Sequence, residues 1–150
     1  LIFAPIVMVT VFTVIGTLSF LASRATESME QFDHDQIYLQ MMLRGVNEII
    51  ITEGTPQSIE IAQKGLDGFN KTHKEIIPLL NDEDSALVDK EITVPWNAIM
   101  KDIEPFLQGD VDTEDDEILV AYGSIITRSD ALAEKLESIS NEVEEKARPQ

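Results

Sequence analysis

Residues 1–22 contain no charged side chain and are rich in Val, Ile, Leu and Phe. As a helix rising about 1.5 Å per residue, such a run reaches roughly 33 Å, enough to cross a hydrocarbon layer of ~30 Å. A cleaved signal peptide is the competing reading. Its apolar core is about 7–15 residues long and ends at a small-residue cleavage site. This run is longer, and the one candidate site, Ser23-Arg24-Ala25, has Arg inside it. The stretch 1–23 is therefore read as a transmembrane helix and 24–150 as the domain it anchors. With Leu1 in place of an initiator Met, the sequence is taken as a piece of a longer chain, so orientation rests on the flank that follows. After Arg24 no Lys or Arg occurs until Arg44, while Glu27, Glu30, Asp33 and Asp35 intervene. Cytoplasmic flanks favour basic residues. The bulk of the domain is thus expected in the periplasm, on the outer side of a bacterial inner membrane.

The whole chain of 150 residues has 28 acids against 11 bases, a formal charge of −17. Nucleic-acid binding needs clustered Lys and Arg, so a nucleic-acid partner is not expected. With no Cys there is no disulfide framework, thiolate metal site or cysteine nucleophile. No cofactor is expected.

Beyond residue 23 the pattern is helical. Phe32, Gln36, Leu39, Leu43, Val46 and Ile50 recur at spacings of 3 and 4, one face of a first helix. Nothing between Ala22 and Phe32 breaks a helix, so the membrane helix is expected to run on into this one. It should stop near Gly54, with Thr55 as N-cap and Pro56 opening the second helix. There Ile59, Ala62, Leu66, Phe69, His73, Ile76 and Leu80 repeat the seam. Asn81 to Asp84 form a polar turn suited to capping a third helix, in which Trp96, Ile99, Ile103 and Phe106 share a face. Pro95 should kink or interrupt it. Gly109 to Asp112 close it. The fourth helix carries the longest seam, from Ile118 through Tyr122, Ile125 and Ser129 to Val143, and Thr113 with Asp116 has capping-box spacing. Four amphipathic helices joined by short connections predict an all-α fold, an antiparallel up-down four-helix bundle.

A membrane helix continuing into an acidic, cysteine-free four-helix bundle resembles the sensor region of bacterial transmembrane receptors, the chemotaxis transducers and sensor histidine kinases. The likeness is one of architecture over the whole chain. The segment Leu39 to Gly45 lies where nitrate sensors carry an anion-binding motif, of which it keeps only Arg44. The resemblance implies ligand binding between the first and fourth helices, a second membrane span after the fourth, and a signalling module beyond it.

On the first helix Ile37, Met41, Arg44, Glu48 and Ile51 form a second stripe roughly opposite the seam. Apolar residues on both sides suit a helix that packs within its own subunit on one side and against a twin on the other, a homodimer. Two copies of Arg44 near a two-fold axis would need an anion or acid between them, so a small anionic or carboxylate ligand is one expectation. An Arg44–Glu48 salt bridge one turn apart is the other. Arg128, with Thr127 beside it and Tyr122 on the seam, is a second candidate ligand contact; a surface Arg paired with acids is its plainer reading. His73 is expected as a hydrogen-bonded core residue, not a metal ligand, since no His or Cys follows at one turn. His34, between Asp33 and Asp35, is read on a solvated face. The acid run from Asp110 to Glu117 lacks the Gly and Glu of a calcium loop and is read as helix-start electrostatics. No catalytic constellation appears, so no enzyme activity is expected. The expected function is ligand sensing for transmembrane signalling. The alternatives are a membrane-anchored assembly bundle that binds a protein partner, and a metal-binding bundle using His34 and His73.

Overall fold

A computed structural model describes residues 3–148, and of residues 3–22 and 25 the backbone alone. The fold is all-α, with no strand among the described residues. Helix α1 spans Phe3–Thr52, 50 residues without a break. Helix α2 covers Pro56–Ile76 and passes through a 3-10 turn, Ile77–Leu79, to the short α3, Asp82–Val88. A π-helical segment, Asp89–Thr93, leads into α4, Val94–Leu107, and α5 covers Asp116–Ala147.

The expected junction at Ala22 to Phe32 is helical throughout. The side chains of 1–22, on which the membrane expectation rests, lie outside the described residues. Among the described residues no helix is long and apolar enough to cross a membrane.

Helix boundaries follow local chemistry. Thr55 caps α2, its hydroxyl accepting from the Ser58 N–H, with Pro56 in the first turn where a missing donor costs nothing. Asn81 caps α3 through the Asp84 N–H at 2.8 Å. At α5 the expected Thr113 cap is corrected. Asp115 caps the helix by accepting from the Glu117 N–H at 2.9 Å, while the Thr113 hydroxyl donates to Glu53 across the end of the molecule. Pro95 does not break its helix. The wider π segment directly before it absorbs the misfit between the proline ring and the preceding turn, and the chain stays helical.

The pairings run antiparallel. Between α1 and α2, Tyr38 faces Gly68, Met42 faces Gly65 and Gly45 faces Ala62, so numbers rise on one helix as they fall on the other. A Cβ added at Gly45 would overlap the Ala62 backbone, and one added at Gly65 would overlap the Met42 backbone. The two main chains therefore touch. Helix α5 meets α1 where Tyr122 donates to Asn47, meets α4 where Arg128 pairs with Asp102, and meets the π segment where Lys135 pairs with Glu91. Helix α2 meets α4 where Phe69 stacks on Trp96 with centroids 3.9 Å apart. At the far end Gly54 and Gly109, at φ +96° and +78°, turn against each other, and the Val111 N–H donates to Glu53 O.

The core holds the expected seams, with Phe32, Leu39, Phe69, Trp96, Ile103, Ile125 and Leu136 almost fully buried. Met42 and Ile49 join them. Gly65→Ala should destabilise the fold by about 1–3 kcal/mol, because its methyl would overlap the Met42 N, Cα and Cβ, none of which can swing aside. Gly123→Ala on α5, where no atom lies within 4 Å of an added Cβ, should gain about 0.5–1 kcal/mol from helix propensity. Urea unfolding of the two variants measures the contrast.

Candidate functional site

Two polar features are built on α1. The first is a surface groove of about 470 Å³ between α1 and α5, lined by Gln40, Leu43, Arg44, Asn47 and Glu48 on one side and Tyr122, Ile126 and Asp130 on the other. The spacing explains the lining: 40, 44, 47 and 48 share one face of α1, and 122, 126 and 130 follow at one-turn steps on α5. Tyr122 donates its hydroxyl to Asn47 Oδ1 and ties the two walls together. The Arg44 Nε donates to Glu48 Oε1 at 3.3 Å, and the Arg44 side chain is 72% exposed. Arg44 thus makes the one-turn salt bridge, at the mouth of a groove that also contains Tyr122. One guanidinium faces two carboxylates there, Glu48 and Asp130.

Arg128 and Thr127 lie elsewhere. Arg128 points across to α4, where it pairs with Asp102 and with the Ser124 hydroxyl and carbonyl of its own helix. It is two positions from Tyr122's one-turn row, about 200° round the helix from Ile126, and so faces a different neighbour. The Thr127 hydroxyl donates to the Gly123 carbonyl at 3.0 Å within its own helix. Of the four ligand candidates, only Arg44 and Tyr122 share a site.

The second feature is buried. Asp35 on α1 is fully inaccessible, with Thr72 and His73 of α2 against it. Thr72 donates its hydroxyl to Asp35 Oδ1, and His73 Nδ1 lies 3.3 Å from Asp35 Oδ2. The other ring nitrogen, Nε2, is 2.7 Å from the Thr93 hydroxyl at the end of the π segment. The imidazole also stacks on Phe69 at 5.6 Å, and Phe69 on Trp96, whose indole N–H donates to Asn70 at 2.8 Å. His73 is therefore a hydrogen-bonded core residue. Asp35 is buried although its neighbour His34 was read on a solvated face. Burial raises its carboxyl above the ordinary value, against hydrogen bonds from His73 and Thr72 that lower it.

The sequence reading missed Asp35. Its signal was available, because Phe32, Asp35, Leu39, Met42, Val46 and Ile49 also recur at spacings of 3 and 4, with an acid in an apolar row. His34 is half-buried beside it. Among the described residues no group of His, Asp and Glu could hold a metal ion. Trp96 is a core anchor, stacked and hydrogen-bonded.

Near the middle of α1, a cavity of about 270 Å³ lies between Arg24, Ser28, Asn81, Asp84 and Lys146. Lys146 donates to the buried Asp84 at 2.7 Å, a contact that holds the ammonium above its usual value.

No protein-family model, curated protein or solved structure matches the chain.

Thr93→Val removes the partner of a nearly buried imidazole nitrogen and should cost about 1–3 kcal/mol. Thr127→Val, which loses a bond only to its own helix on an exposed face, should change stability by less than about 0.5 kcal/mol. Denaturant midpoints of the pair test this.

Proposed function

We propose that the chain is the ligand-sensing region of a bacterial transmembrane receptor. Residues 1–23 cross the inner membrane and 24–150 form an antiparallel up-down four-helix bundle in the periplasm, acting as a homodimer. The observation that carries this reading is the unbroken α1, which runs from the uncharged N-terminal stretch to the far end of the helical domain, a rod of about 75 Å. A displacement at one end of such a rod is felt at the other.

The α1–α5 groove supports the ligand role. It borders the exposed stripe of α1, where Ile37 is 58% and Ile51 80% exposed, which suits a contact with a second copy. Its polar groups favour a small molecule with a carboxylate or similar anion for Arg44 and a hydrogen-bond donor for Glu48 or Asp130. A simple anion would have to draw Arg44 from Glu48 and approach Asp130, so a bare inorganic anion fits less well. Binding there would bias the packing of α1 against α5. It switches the receptor only if one packing binds more tightly than the other.

A thermal-shift screen of small carboxylates and amphoteric compounds on the 150-residue chain tests the reading. A true ligand raises the melting temperature with concentration by mass action. Arg44→Ala should abolish that rise with helix content unchanged, and Arg128→Ala should keep it. A response that survives Arg44→Ala removes the groove from the site.

A further inference from the structure

A carboxylate cut off from bulk solvent is costly to leave charged, and Asp35 sits at zero exposure between α1 and α2. Neutral His73 has one N–H to offer. With that N–H aimed from Nδ1 at Asp35, Nε2 is left to accept from the Thr93 hydroxyl. Every group is then hydrogen-bonded, yet the core carries a whole negative charge.

One added proton cancels that charge by either of two routes. On Nε2 it makes an imidazolium paired with Asp35, and Thr93 must change from donor to acceptor. The freed hydroxyl hydrogen then needs a new acceptor, and a helical threonine finds it in a carbonyl three or four residues back, which for Thr93 belongs to the π segment. On Asp35 it makes a carboxylic acid, leaving the Thr72 hydroxyl to donate to Gly68 O at 3.1 Å. In both forms the pair is neutral and α1, α2 and the π segment are joined through it.

We propose that Asp35 and His73 take up one proton as a unit, and that this proton makes the mutual packing of α1, α2 and the π segment depend on pH. The proposal stands apart from the groove and from any ligand. Other charged groups around the pair are few. His34 on α1 acts on Asp35, Glu91 of the π segment is paired with Lys135 of α5 at 3.6 Å, and Lys71, Lys74 and Glu75 of α2 are exposed. Helix α4 faces the pair with Trp96 and no charge.

The sign follows from burial. The folded value of Asp35 lies above its ordinary 3.8, so the folded chain holds the proton more tightly than the unfolded one. The stability this supplies is complete below that ordinary value and is lost as pH rises through the folded one.

Trp96 is the chain's one Trp, two stacked rings from the imidazole, and gives a local readout. Urea unfolding of the whole 150-residue chain between pH 4 and 7.5 should show the folding equilibrium of the wild type falling, relative to Asp35→Asn, by up to about tenfold per pH unit across the transition. The folded wild type should show a pH-dependent change in Trp96 emission over the same interval, retained in His34→Gln and lost in Asp35→Asn. Equal pH slopes in wild type and Asp35→Asn would overturn the proposal. If Asp35→Asn does not fold, the wild type and His34→Gln decide it: no emission change in the folded wild type, or its loss in His34→Gln, is equally fatal.

Discussion

Main-chain contact between α1 and α2 sets the register on which the other features depend. Gly45 lies on the Ala62 backbone and Gly65 on the Met42 backbone, three residues along each helix, and the Tyr38 ring covers Gly68 a turn further. Interfaces that close admit few alternative alignments, because a shift of one residue drives a side chain into a backbone that cannot give. The same register continues towards the N-terminus and delivers Asp35 to Thr72 and His73. Without glycine at 45 and 65 the helices would stand further apart, and a hydrogen-bonded carboxylate would become an unpartnered buried charge.

Much of this was legible in the sequence because caps and seams are local. Thr55-Pro56, Asn81 and the rows through Phe69, Trp96 and Leu132 need only periodicity and capping chemistry to be read. What was not legible depends on neighbours. Leu43 and Ile50 fit a seam as well as Met42 and Ile49 do, and choosing the first pair placed Asp35 outside; only its meeting with His73 from α2 shows why an acid belongs in the row. Pro95 was read as an interruption because a single strand of sequence does not reveal the π segment that accommodates it. Tyr122 was read beside Arg128 and Thr127, and it is the structure that sets it in one groove with Arg44. Arg128 was set beside Tyr122 by nearness in number, whereas its azimuth turns it to Asp102 on α4.

Charge is handled in the same economical way. Of 28 acids, Asp35 and Asp84 are the ones buried among the described residues, and each has a partner from another helix: His73 with Thr72 for the first, Lys146 for the second. Asp35 lies on α1 little more than a turn before the groove residues Gln40 to Glu48, and Asp84 lies on α3, where it meets Lys146 of α5. A single helix therefore carries one wall of the groove, the Asp35 member of the buried pair and the segment proposed to cross the membrane. Coupling among them requires no pathway of side chains beyond the stiffness of α1 itself, provided it is one rod.

That proviso is the central claim, and the absence of native Cys makes it directly measurable. Single cysteines placed in turn from residue 18 to residue 36, spin-labelled in lipid nanodiscs, report access to oxygen in the bilayer and to a polar relaxant in water. The account predicts an unbroken oscillation of about 3.6 residues through the whole interval, with the crossover from lipid to water near Arg24. Loss of the period between Ala22 and Phe32, or water access throughout 18–22, would contradict it.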